Sequence, residues 1–119
     1  MPPTLEVVDD VLHVRLRPWQ RVAGLLRDLR VPVADVSSVE VLPDGLAAVR
    51  GLRAPGLALP STRYGTWRRR RQGRTLLSYV AVDRGVPALR LGLTGSRFAD
   101  VLVSSPDAEQ VAARLRTRA

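Results

Sequence analysis

Four consecutive arginines, Arg68-Arg69-Arg70-Arg71, are the residues of this chain best equipped for chemistry. Arg74 follows them, Tyr64 and Trp67 precede them, and Arg50, Arg53 and Arg63 lie upstream. Residues 50–74 hold eight arginines and no acid, a charge of +8 that equals the net charge of all 119 residues. The flanks nearly balance, at −2 over residues 1–49 and +2 over residues 75–119. Guanidinium forks match phosphate and carboxylate geometry, so the chemistry on offer is anion capture. The anion would belong to a lipid surface or a nucleic acid. The competing reading is a solvated charged hairpin that keeps a strand edge from pairing with other chains, with the stems of Arg50, Arg53 and Arg63 upstream covering apolar surface. All 19 basic residues are arginine and none is lysine, as a GC-rich codon bias would produce, so arginine by itself does not mark a site.

Other chemistries find little support. There is no cysteine, so thiolate metal sites, disulfides and cysteine nucleophiles are excluded. The one histidine, His13, alternates with apolar neighbours and is expected to face solvent rather than a metal. No Gly-x-Ser-x-Gly, phosphate loop or dinucleotide fingerprint occurs, and the serines fall mostly in turns or caps. Neither catalytic residues, nor a cofactor, a metal or a small-molecule substrate is indicated. Trp19 and Trp67 read as core or rim aromatics, with Trp19 on a short helix as the alternative mark of a partner contact.

The elements that must position these residues follow from periodicity. Leu5 to Val8 is a short strand, Asp9-Asp10 a turn, and Leu12, Val14 and Leu16 alternate with polar residues as a half-buried strand. Pro18 opens a short helix whose apolar face is Trp19, Val22, Ala23 and Leu26. Leu29 to Val33 is a strand with an edge or end at Pro32, and Val36 to Val41 another, closed by Pro43-Asp44-Gly45. Residues 46–62 read as a helical turn followed by a long irregular connection, of a kind that is functional or well packed when ordered. Tyr64 to Arg71 and Leu76 to Val82 form a hairpin around Gln72-Gly73, with Arg68 and Arg70 on one face and Arg69 and Arg71 on the other. Two further strands cover Leu89 to Leu93 and Phe98 to Val103. Ser105 caps a terminal helix starting at Pro106, with Ala108, Val111, Ala112 and Leu115 as its buried stripe.

These lengths suit one domain spanning residues 1–119. The first residues lack a basic n-region and a long apolar stretch, and Leu76 to Val82 is too short to span a bilayer. A cytoplasmic domain is expected, with peripheral contact to the inner membrane face as the alternative. About seven or eight short strands and one terminal helix predict a mainly β antiparallel barrel or sandwich.

The same order of elements resembles the pleckstrin-homology (PH) superfold. Arg30-Val31-Pro32, Gly51-Leu52-Arg53-Ala54-Pro55-Gly56, Gly65-Thr66-Trp67 and the ending Phe98 to Pro106 are similar to small bacterial PH-like proteins of actinobacterial type. The resemblance implies a strongly bent sheet of about seven antiparallel strands, plugged at one end by the helix. Many PH domains hold phosphoinositides with a basic first turn and a basic-x-Arg on the second strand. Arg15-Leu16-Arg17 matches the latter, but the turn here is Asp9-Asp10, whose carboxylates repel phosphate. The expected function is therefore a noncatalytic PH-like binding module acting through a protein partner or self-association. Anionic lipid binding by residues 50–74 is the alternative. Nucleic-acid binding ranks last, because charge alone supports it. The candidate contact residues are Arg68, Arg69, Arg70, Arg71, Arg74, Trp67, Tyr64 and Arg53.

Overall fold

A computed structural model describes residues 3–49 and 51–118, with side chains for all of these but 52–55 and 118. Arg50 lies outside the described residues. The chain is mainly β, with 51% of it in strands.

Strands β1 (Thr4–Val8) and β2 (Val11–Arg15) form a hairpin around Asp9-Asp10, both at positive φ (52° and 61°). Two such residues in a two-residue loop match the right-handed strand twist, and aspartate tolerates this region better than most side chains. Strand β3 (Leu29–Pro32) pairs with β2 and completes a three-stranded sheet. Leu5, Val7, Leu12, Val14, Leu29 and Val31 share its inner face; Glu6, His13 and Arg30 are aligned on its outer face. His13 thus sits on the solvent side, as its alternation predicts.

The second sheet has six strands: β4 (Val36–Leu42), β5 (Leu52–Leu59), β6 (Thr62–Arg71), β7 (Arg74–Asp83), β8 (Ala88–Leu93) and β9 (Asp100–Ser104). Their spatial order is β4-β8-β9-β7-β6-β5. Helix α1 (Pro18–Gly24) links β2 to β3, and α2 (Ala108–Arg118) ends the chain. The main core lies between the two sheets and under α2, with Tyr64, Tyr79, Leu89, Leu91, Val101 and Val103 supplied by the larger sheet. A smaller core of Trp67, Val80, Val82, Ala88 and Leu102 covers the other face of that sheet. Two cores explain why β7 is apolar on both faces.

Four expectations need correction. Residues 52–59 are a strand, not an irregular connection. Strand β5 pairs antiparallel with β6, and the register slips between Arg53 and Gly56, so Pro55 falls at a bulge on a sheet edge, where its missing N–H costs no ladder bond. Secondly, not all pairs are antiparallel: β9 inserts between β7 and β8 and runs parallel to β7. The intervening β8 and its turns supply the long crossover that a parallel pair requires. Thirdly, nine strands are present among the described residues, two more than the PH-like expectation, and the sheets do not close into a barrel. Pro32 ends β3 and a 3-10 turn follows at Val33–Asp35, while helices fill the open seams: α2 lies against β1, β4 and β8, and α1 against β5 and β6.

The fourth correction concerns α1. Trp19 (48% exposed) and Val22 (77% exposed) point to solvent, not to the core. The buried face carries Gln20 and Gly24 instead. Gln20 is fully buried; its Nε2 donates to Tyr64 Oη (3.1 Å), and its Oε1 accepts from the Arg17 backbone N–H (2.8 Å). A Cβ on Gly24 would stand 2.9 Å from the Tyr64 Cβ and carbonyl oxygen, so only glycine lets the helix approach so closely. A polar clamp and a close backbone contact therefore override the apolar spacing.

The connection from β4 to β5 joins opposite edges of the six-stranded sheet, so it crosses over the outer face. Leu42, Leu46, Ala48 and Val49 pack on the small core there. Gly45 sits over three strands: a Cβ would come 2.9 Å from Val82 Cγ1, Ala88 Cβ and Ser104 Oγ. The connection is well packed, one of the two outcomes its length predicts. Helix α2 buries Ala108, Val111, Ala112 and Leu115 as expected, but starts at Ala108, after a turn in which Ser105 Oγ accepts from the Asp107 N–H (3.0 Å). Strand β9 likewise begins at Asp100, later than Phe98. No described helix is long and apolar enough to cross a membrane.

Candidate anion-binding surface

The hairpin of β6 and β7 carries the arginine run. Its register pairs Arg71 with Arg74, Arg70 with Thr75, Arg69 with Leu76 and Arg68 with Leu77. The loop is Gln72-Gly73, with both residues at positive φ (52° and 77°), which suits a tight two-residue hairpin. Strand β5 reaches β6 only as far as Arg68, and β9 reaches β7 only from Ser78 onward. The tip from Arg69 to Leu76 is thus a two-stranded ribbon that extends past both neighbours.

The ribbon sorts its arginines. Arg69 is on the outer face, where its Nη1 donates to Ser78 Oγ (3.1 Å) and pairs with Asp100 Oδ1 (3.3 Å). Ser78 in turn donates to Asp100 Oδ1 (2.5 Å). Arg69 is thereby neutralised and serves the sheet. Arg63 is tied down as well, donating to the Leu59 and Thr62 carbonyls. Arg68, Arg70, Arg71 and Arg74 are exposed and make no ion pair or hydrogen bond with a described residue. A cleft of about 480 Å³ opens between Gly51, Thr75 and Arg68 to Arg70.

Three other predicted contact residues play different parts. Trp67 is buried in the small core. Tyr64 is buried in the main core, and its hydroxyl donates to Asp83 (2.7 Å to Oδ1). Burial, then the Asp83 carboxylate, push ionisation of that phenol well above the usual tyrosine range. Arg53 stands opposite Trp67 in the backbone register, and its side chain lies outside the described residues.

The structure adds an apolar neighbour that hydrophobic spacing had assigned to the core. Along the inner face of β6 come Tyr64, Thr66, Arg68 and Arg70, at steps of about 6.7 Å. Trp19 of α1 packs edge-on against the Tyr64 ring (centroids 5.3 Å apart, planes at 89°). The chain leaving α1 lies over Thr66 and Tyr79, and Leu25 there is 69% exposed. One strand face therefore leads from Trp19, Val22 and Leu25 to the free arginines Arg68 and Arg70. The alternative reading of Trp19 as a partner contact pointed that way, and Leu25 lay off the predicted apolar face, but Val22 had no signal distinguishing it from a core residue. Among the described residues no three histidines, cysteines or acids cluster as metal ligands. No family model, no curated protein and no solved structure matches this chain.

Proposed function

We propose that this chain is a noncatalytic binding module, PH-like in its order of elements, that docks on an anionic membrane surface through α1 and the β6–β7 ribbon. The observation that carries the reading is the continuity of the exposed apolar face of α1 with the unpaired arginines of β6. An interfacial contact needs both parts: apolar side chains for the acyl boundary and cations for the headgroups. Each arginine near an anionic surface contributes roughly 1 kcal/mol, so Arg68 and Arg70 on that face favour anionic over neutral lipid by about thirtyfold, and Arg71 with its cross-strand partner Arg74 adds charge at the ribbon tip from the other face. The acidic Asp9-Asp10 turn belongs to the other sheet, not to the strands that carry these arginines.

Sedimentation with phosphatidylserine-containing and pure phosphatidylcholine vesicles tests this. Binding is expected to the former only, to weaken as salt rises, and to be lost in Arg68→Gln/Arg70→Gln/Arg71→Gln/Arg74→Gln. Absence of binding to anionic vesicles at low salt overturns it. A second reading has its own support: a protruding two-stranded ribbon with a basic tip matches the width of a nucleic-acid groove. A mobility shift with mixed duplex DNA and RNA, absent vesicle binding, would favour that reading. A partner protein or self-association through the sheet edges at β4 and β5 would be favoured if neither anion binds and sedimentation shows a dimer.

A further inference from the structure

A second cleft, of about 240 Å³, lies where the chain leaving α1 passes over β6 and β7. Leu26, Leu29, Thr66, Tyr79, Arg97 and Phe98 line it. Its depth is apolar: Leu26, Tyr79 and Phe98 belong to the main core, and the Tyr79 and Phe98 rings meet edge-to-face (5.4 Å, 87°). Its shape is held from outside, because Tyr79 Oη donates to the Arg27 carbonyl (2.6 Å) and pins the loop.

Two polar groups lining this cleft make no hydrogen bond or ion pair with a described residue. Thr66 is only 4% exposed, yet its hydroxyl makes no hydrogen bond with a described residue. No described side-chain polar atom is both sealed from solvent and unbonded, so this hydroxyl reaches the cleft. A hydroxyl at such depth gains from a partner arriving there. Arg97 is the second. Its guanidinium stands 5.2 Å over the Phe98 ring and pairs with no described carboxylate. Arg27 at the rim is likewise unpaired, whereas the Asp28 carboxylate already accepts the Leu16 N–H (2.8 Å). Two cations against one engaged carboxylate leave the mouth positive.

We propose that this cleft binds a small amphipathic monocarboxylate. Its carboxylate accepts hydrogen bonds from Thr66 Oγ1 and Arg97, and its apolar body lies against Leu26, Leu29 and Phe98. The volume is just below the roughly 300 Å³ at which sites for drug-sized ligands begin, which admits a short apolar body and excludes a peptide. Apolar walls and Asp28 at the rim disfavour a hydrophilic dianion such as phosphate. Leu25 at the rim belongs also to the apolar face proposed to contact a membrane, but Thr66 and Arg97, which carry this proposal, have no part in that contact.

Titration of the isotope-labelled protein with hexanoate, hexanol and inorganic phosphate, followed by amide NMR shifts, tests it. Hexanoate is expected to give saturable shifts at Leu26, Leu29, Thr66 and Phe98. Hexanol and phosphate should bind at least about tenfold more weakly, the factor expected for one hydrogen bond to a charged group. Thr66→Val, which keeps the shape and suits a strand, and Arg97→Gln should each weaken hexanoate by a similar factor and leave vesicle binding unchanged. The proposal is overturned by an absence of saturable shifts, by hexanol or phosphate binding as tightly as hexanoate, or by wild-type affinity in both variants.

Discussion

Replacing Tyr64 with phenylalanine removes one oxygen and leaves a ring that still packs edge-on against Trp19. That oxygen joins three elements. It donates to Asp83 at the end of β7 (2.7 Å to Oδ1) and accepts from Gln20 Nε2 on α1 (3.1 Å). Thr62 remains as a donor to Asp83, and the carboxylate is partly exposed, so water can replace part of what it loses. The Gln20 N–H aimed at Tyr64 lies in a fully buried side chain, where water is excluded. A bond to a charged group contributes about 1.5–3 kcal/mol, and a buried donor stripped of its acceptor costs about 1–3 kcal/mol. Discounting the Asp83 part for solvent, Tyr64→Phe should cost about 2–3 kcal/mol and lower Tm by roughly 10 °C. Urea unfolding followed by circular dichroism measures this, with the slope unchanged if only stability has moved. Gln20→Leu/Tyr64→Phe should lose about 1 kcal/mol less than the sum of the single variants, because both remove the same bond. A loss below about 0.5 kcal/mol for Tyr64→Phe, or strict additivity, would refute the reasoning that this clamp orients α1.

Four more outcomes follow from the same structure. Gly45→Ala would place a Cβ 2.9 Å from Val82 Cγ1, Ala88 Cβ and Ser104 Oγ, so thermal melting should show an overpacking loss of about 1–3 kcal/mol with no change in secondary structure. Burial raises the ionisation of both Tyr64 and Tyr79 well above the usual tyrosine value near 10, so the neutral phenols add stability that is complete below about pH 10 and lost as pH rises above it. Phenolate absorbance should accordingly appear together with alkaline unfolding; a separate, earlier titration of either phenol would contradict this. Anionic vesicles should shield Trp19, but not the already buried Trp67, from aqueous quenchers. Arg69→Ala should leave vesicle affinity within about twofold while lowering stability by up to about 1 kcal/mol, the reverse of Arg68→Ala/Arg70→Ala.

Local features of this chain were legible wherever one element's own side chains decide them. Alternation along β2, β6 and β8, the turn residues Asp9-Asp10 and Gln72-Gly73, and the α2 stripe all appear in the fold as their spacing predicts. So does the hairpin that gathers the arginines. Partners distant in the chain decided the rest. Apolar spacing put Trp19 and Val22 in the core, but α1 is turned by Tyr64, 44 residues from Gln20. Alternation splits the four arginines of the run between two faces without saying which is engaged; Asp100, 31 residues from Arg69, pairs with it and takes it out of the proposed binding surface. Glycine and proline obscured β5, because an edge strand with a bulge needs no regular alternation once β6 supplies the ladder. The cleft at Thr66 joins residues from the loop after α1, from β6 and β7, and from the approach to β9, so no single segment carries its pattern. Periodicity records which way a side chain faces within its own element; which element it meets depends on strand order and helix rotation, set by packing across the whole chain.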